Sequence, residues 1–141
     1  MIILDTSGLL AAIDSSETHH DAAVRALRGS EPPRLLSPFV LAELDYMLAR
    51  HVSAAAARDA LEEIVRGAYQ LESFDADDIG AALSVLERYA DLGLGLADAS
   101  IVVLASRHDT LDILTLDERH FRALRGSRGR AFRLLPADLA A

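Results

Sequence analysis

Four carboxylates in this chain stand where their neighbours do not account for them. Asp5 ends the apolar run Ile2-Ile3-Leu4, and Asp117 repeats that placement after Ile113-Leu114-Thr115-Leu116. Asp98 interrupts the apolar stretch Leu94 to Ala105, where an ionised carboxylate is costly unless something pairs with it. Glu43 borders the apolar stripe of its own segment, between Phe39 and Met47, instead of lying opposite it. Each has a simpler local reading as well. Asp5, Asp98 and Asp117 suit the caps of helices starting just after them, and Glu43 suits a solvated helix edge. Gathered in one place, the four would make a set of hard oxygen donors without His or Cys, which suits Mg²⁺ or Mn²⁺ and suits Zn²⁺ poorly. A metal so held is generally bound together with substrate phosphates. It lowers the pKa of a bound water and stabilises the leaving oxygen of a phosphodiester.

Whether the acids meet depends on the elements that carry them. Ile2-Ile3-Leu4 is the pattern of a strand buried on both faces, and Gly8 to Ile13 reads as a helix capped by Asp5-Thr6-Ser7. Ala22-Ala23-Val24 and Leu27 predict a helix entered near Ser16 or Thr18 and closed by Gly29; Leu35-Leu36 is a second strand. Ser37-Pro38 places a capping serine before a proline at the first helical position, starting a helix that runs to His51. Ser53 caps the next, with Ala57, Leu61, Ile64 and Val65 inward, and Tyr69-Gln70-Leu71 is a third strand. Asp75 caps a helix whose inward row is Ile79, Ala82, Leu83 and Leu86. Leu96 to Ser106 is apolar nearly all round and, at eleven residues, is read as a buried helix. Ile113-Leu114, a short basic helix from Glu118 to Leu124, and a strand from Ala131 to Leu135 complete the chain. Short buried strands alternating with helices predict one domain, residues 1–141, with a three-layer α/β fold and a mostly parallel sheet of about five strands. Sites in such sheets form at the carboxyl ends of strands where the winding reverses. If it reverses between the strands that end in Asp5 and Asp117, the two acids become neighbours.

Composition removes several chemistries. All 14 basic residues among the 141 are Arg, so no Schiff-base, Walker-type or receiver-domain lysine is available. There is no cysteine, hence no disulfide, thiolate site or cysteine nucleophile. The five histidines show no ligand spacing, and no Gly-x-Ser-x-Gly elbow supports a serine nucleophile. Net charge of −8 argues against nonspecific nucleic-acid binding over the whole surface. Arg119, Arg122, Arg125, Arg128, Arg130 and Arg133 nonetheless fall in one C-terminal stretch. The first four are the expected RNA contacts, since arginine holds phosphates through paired hydrogen bonds. No run of about 20 apolar residues and no signal-peptide pattern is present, so a cytoplasmic protein with no membrane association is expected.

The four acidic segments together resemble the PIN-domain ribonucleases, specifically the VapC-type toxins of bacterial toxin–antitoxin pairs. Met1 to Leu10 looks like the family's opening strand, with Asp5 as first acid and a hydroxyl, Thr6 or Ser7, beside it. Pro38-Phe39-Val40-Leu41-Ala42-Glu43-Leu44 resembles the second motif, with Glu43 as the acid. Leu96-Ala97-Asp98-Ala99-Ser100-Ile101 resembles the third, with Asp98, and Leu114 to Phe121 the fourth, with Thr115 and Asp117. The resemblance implies a five-stranded PIN-like fold and Mg²⁺- or Mn²⁺-dependent RNA cleavage, with Asp5, Glu43, Asp98 and Asp117 as catalytic metal ligands. It further implies a homodimer inhibited by a cognate VapB-type antitoxin. Asp91, seven residues before Asp98, is an auxiliary acid on this reading. The alternative is an inert PIN-like module that binds RNA or protein without cutting. A phosphatase with an aspartyl nucleophile would need a second Asp where Ser7 stands.

Overall fold

The computed structural model describes residues 1–139. Five strands, β1 (Ile2–Leu4), β2 (Arg34–Leu36), β3 (Gln70–Leu71), β4 (Asp112–Leu114) and β5 (Arg133–Leu135), form one sheet in the order β3-β2-β1-β4-β5. Every neighbouring pair is parallel, so the sheet expected to be mostly parallel is parallel throughout. The helices are α1 (Thr6–Ile13), α2 (His20–Gly29), α3 (Pro38–His51), α4 (Ala54–Val65), α5 (Ala76–Arg88), α6 (Leu96–His108) and α7 (Glu118–Ala123). Parallel neighbours require crossovers, and helices in those crossovers cover the sheet. This is why the inner strands are runs of Ile and Leu without alternation: Ile2, Ile3, Leu4, Leu35, Leu36, Ile113 and Leu114 are all fully buried. The chain steps outward from β1 to β3, then returns to the other side of β1 for β4. Ile3 lies opposite Ile113 and Leu4 opposite Leu114. The winding therefore reverses between the two strands that Asp5 and Asp117 follow.

The helix starts at Ser37, Ser53 and Asp75 are capped as their sequences require. Ser37 accepts from the Phe39 N–H, Ser53 from that of Ala56, and Asp75 and Asp78 exchange a reciprocal capping box. Other expectations need correction. The chain enters α2 at His19, not at Ser16 or Thr18, because Ser16 is turned back onto the Asp14 carboxylate. The last strand begins at Arg133; Ala131 makes only an isolated antiparallel bridge to Arg125. In α4, Ala57 and Ala60 face the core with Ile64 packed beside them, while Leu61 and Val65, also expected inward, lie on the surface, since the buried row runs through 57, 60 and 64. In α5 only Ala82 is fully buried, and Ile79 and Leu83 lie on the surface.

Two small buried groups fix the helices that carry acids. Ser37 and Ser100, both fully buried, place their hydroxyl oxygens 2.6 Å apart. Ser100 donates to the Ala97 carbonyl, so Ser37 donates to Ser100 while accepting from Phe39. This chain of bonds ties the start of α3 to the first turn of α6, and with them the relative positions of Glu43 and Asp98. Gly8 does the equivalent for α1, whose backbone it brings directly against the last residue of β4.

Candidate active site

Where β1 and β4 end, a cavity of about 560 Å³ opens, and Asp5, Glu43, Asp98 and Asp117 all line it. They arrive from four separate segments: the end of β1, the second turn of α3, the first turn of α6 and the turn after β4.

Asp5 is buried and sits at the N-cap position of α1, but its carboxylate does not cap that helix. Its Oδ2 instead accepts from Thr115 Oγ1 at 2.6 Å and from Ser7 Oγ at 2.9 Å. Each hydroxyl also accepts a backbone N–H just past β4, Ser7 from Leu116 and Thr115 from Asp117. The Asp5 N–H donates to the Leu114 carbonyl, which extends the β1–β4 pairing to the acid itself. The hydroxyls thus orient Asp5 and fasten together the two strand ends. Thr6 acts elsewhere, donating to Glu43 Oε1 at 2.8 Å and linking α1 to α3.

Asp98 lies at the third position of α6, where Oδ2 accepts the Gly95 N–H at 3.1 Å. The helix begins at Leu96, two residues before the acid, so Asp98 reaches back over the helix start and also faces the cavity. Asp117 combines two roles in the same way. Its Oδ1 accepts the His120 N–H as the cap of α7, and its Oδ2 pairs with His120 Nδ1 at 2.7 Å. The far ring nitrogen of His120 lies 3.0 Å from the Leu92 carbonyl, and the bond to Asp117 raises the pKa of the histidine. Asp91 is exposed in the turn Ala90–Leu92 and does not line the cavity.

None of the C-terminal arginines lines this cavity. Arg122 forms ion pairs with Glu118 and Asp138, Arg130 with Asp109 and Arg133 with Asp112. Arg125 donates to the carbonyls of Arg122 and Leu124, and Arg119 and Arg128 make no ion pair among the described residues. The basic residues that do line the cavity are Arg50 and His51 at the end of α3, with Tyr46 between them and Glu43. The sequence carried a signal for them. Positions 43, 46, 47 and 50 repeat at helical spacing, so a helix that presents Glu43 to a site presents those side chains too.

Burial pushes the Asp5 carboxyl up to about 6, and the charge of Asp98 adds to the rise, against the lowering by Thr115 and Ser7. Among the described residues, no Arg or His is paired with Asp5, Glu43 or Asp98. As the side chains stand, no three acids or histidines converge as a ligand cluster among the described residues, with Glu43 drawn to Thr6 and Asp117 to His120. The donor set still fits a divalent cation: it is all oxygen, Asp5, Glu43 and Asp98 have no protein counter-charge, and its most buried member holds a proton up to about pH 6. A pH dependence follows. Between the unfolded value of 3.8 and about 6, the folded protein binds more protons at Asp5, so stability falls as pH rises through that window. Without metal, wild type is expected to lose on the order of 3 kcal/mol relative to Asp5→Asn across it. Urea denaturation of both proteins in EDTA at several pH values measures the difference. A difference independent of pH would show that Asp5 ionises normally.

Residues 2–126 match the PIN domain family, and the chain belongs to that family. Over 135 residues it is 42% identical to Ribonuclease VapC26 of Mycobacterium tuberculosis, covering 96% of this chain and all of that protein. Among solved structures it resembles the VapC20 toxin of Mycobacterium tuberculosis, which cleaves the sarcin-ricin loop. The TM-score is 0.78 at 23% identity, over 83% of this chain and 90% of that one. It also resembles VapBC2 from Rickettsia felis, bound to a DNA fragment from its promoter. There the TM-score is 0.64 at 18% identity, over 95% of this chain and 98% of the other. At these identities the two structures attest the fold alone.

Proposed function

We infer that this chain is a metal-dependent endoribonuclease toxin of the VapC type, which cuts cellular RNA and is neutralised by a cognate VapB-type antitoxin. The observation that carries this reading is the acidic cavity: four carboxylates from distant segments line one groove in a chain 42% identical to a ribonuclease. Asp5, Glu43 and Asp98, which have no basic partner, would hold Mg²⁺ or Mn²⁺, with Asp117 as the outer acid. When bound, the ion supplies an activated water and charge stabilisation at the leaving oxygen of the phosphodiester. Thr115 and Ser7 keep the Asp5 carboxylate aimed, and Thr6 steadies Glu43. His120 offsets the charge of Asp117 and anchors it to the turn before α6.

Arg119 and Arg128, free of ion pairs among the described residues, would meet RNA that extends beyond the groove, with Arg122 and Arg125 behind them. On this reading the chain acts on cytoplasmic RNA as a single PIN domain, paired as a homodimer; no helix among the described residues is long and apolar enough to cross a membrane. The test is incubation of the purified, antitoxin-free protein with total cellular RNA in Mg²⁺, Mn²⁺ or EDTA. Discrete fragments with either metal and none in EDTA are expected. Intact RNA under all three conditions would leave the inert binding module as the better reading.

A further inference from the structure

We propose that the face of α3 running from Glu43 through Tyr46 to Arg50 is the track on which this site holds a single strand of RNA, with Tyr46 stacking on an unpaired base and Arg50 gripping a phosphate. The proposal rests on the ribonuclease reading and deepens it by naming two residues of this chain that position the strand. All three residues line the cavity. At 1.5 Å per residue, Tyr46 lies about 4.5 Å along the helix from Glu43 and Arg50 about 10.5 Å. The cavity therefore runs from the acids past an aromatic ring to a guanidinium. Tyr46 is 63% exposed, whereas Phe121 and Phe132 are buried and Phe39, Tyr69, Phe74 and Tyr89 are half-buried. Arg50 makes no ion pair and no hydrogen bond among the described residues, unlike Arg122, Arg130 and Arg133.

The floor beside this face is apolar, formed by Leu10, Ala11 and Met47. A ring over an apolar floor, followed by an unpaired arginine, offers a base its stacking surface and a phosphate its donor. Unpaired bases can be splayed onto such a ring, whereas duplex bases are already stacked on each other. Charge limits where RNA can lie. Asp5, Glu17, Glu43, Asp98 and Asp117 all border the groove, so backbone phosphates are repelled except near a bound cation and at the end of α3, where Arg50 and His51 lie. Those two positive points lie at opposite ends of the track, which sets the strand along the axis of α3.

The chain contains no tryptophan, so Tyr46→Trp would place the protein's sole indole in the groove. With Ca²⁺ present, single-stranded oligouridine or oligoadenine is expected to quench that fluorescence, and the same sequences in duplex form are not. In cleavage assays, Tyr46→Ala should raise KM about tenfold and leave kcat within about twofold. Tyr46→Phe and Tyr46→Trp should stay near wild type. Arg50→Ala should raise KM several-fold and lower the salt slope of binding by about one, and Arg50→Lys should restore most of that slope. Equal quenching by duplex and single strand, or unchanged KM in both alanine variants of a protein that still cuts RNA, would overturn the track while leaving the ribonuclease reading intact. Selective quenching by single strand in a protein that never cuts would keep the track and overturn the ribonuclease. A response to an arginine-rich peptide and not to RNA would assign the groove to a protein partner and overturn the proposal.

Discussion

Asp98→Asn is expected to lower the rate of RNA cleavage about a thousand-fold, on the order of 4 kcal/mol of transition-state stabilisation, while raising the stability of the metal-free protein. The substitution keeps the shape of the side chain. An asparagine oxygen can still accept the Gly95 N–H, so the start of α6 survives. What is lost is one of the charges that face the cavity. That charge helps to push Asp5 up to about 6, and its removal should relax the strain of the apo site near neutral pH, where Asp5 is ionised against its burial. The metal response should shrink for the same reason. A ligand at a hundredfold excess over its dissociation constant stabilises a protein by about 2.7 kcal/mol, and losing a charged ligand weakens binding and so diminishes that gain. Melting curves in EDTA and in Mn²⁺, run beside a cleavage assay, measure all three effects. Unaltered cleavage would remove Asp98 from the reaction, and an unaltered response to Mn²⁺ would remove it from the metal site. Asp117→Asn should do less, because both oxygens of Asp117 are already engaged by His120.

Gly8→Ala should be among the most damaging substitutions that add a single methyl group. A Cβ at Gly8 would lie 2.4 Å from the Leu114 carbonyl oxygen and 2.6 Å from its carbon, closer than such atoms approach. Backbone cannot rotate aside as a side chain can, so α1 must lift away from β4. The carbonyl it strikes is the one that accepts the Asp5 N–H. Ser7, in the same turn, would move away from the Leu116 N–H and from Asp5. Overpacking of this kind costs about 3 kcal/mol or more, against roughly 1 kcal/mol gained from the helix propensity of alanine. The midpoint of melting should fall by roughly 10 °C, and cleavage should fall with it. Gly80→Ala provides the contrast. It lies within α5 with open space around its Cβ position, so the same change there should be neutral or stabilising by up to about 1 kcal/mol. Equal melting temperatures for the two variants would show that α1 is not pressed against β4.

The first-order organisation of this chain is legible without coordinates, because it rests on local rules. A parallel sheet covered on both faces requires unbroken Ile and Leu runs, and Ile2 to Leu4, Leu35-Leu36 and Ile113-Leu114 supply them. Serine before proline at Ser37-Pro38, and Asp75 three residues before Asp78, mark helix starts through hydrogen bonds that span only two or three residues. The four acids were conspicuous for an equally local reason, a charge set in or beside apolar sequence. Tertiary structure decided what each carboxylate does. The residues following Asp5 predict a helix cap, yet hydroxyls of Ser7 and of Thr115, 110 residues along the chain from Asp5, take its oxygen. Asp117 caps its helix as the sequence suggests, Asp98 reaches back to the Gly95 N–H from the third position of a helix that starts before it, and both also line the cavity, a combination that no local pattern separates from capping alone. The basic tail illustrates the limit most plainly. Sequence counts arginines but not their partners, and Asp109, Asp112 and Asp138 neutralise Arg130, Arg133 and Arg122 across folds of the chain. Arg50, isolated in sequence, is the arginine that the helical turn of α3 brings to the acids, because side chains that share a helix face are set by period and their neighbours across space are set only by packing.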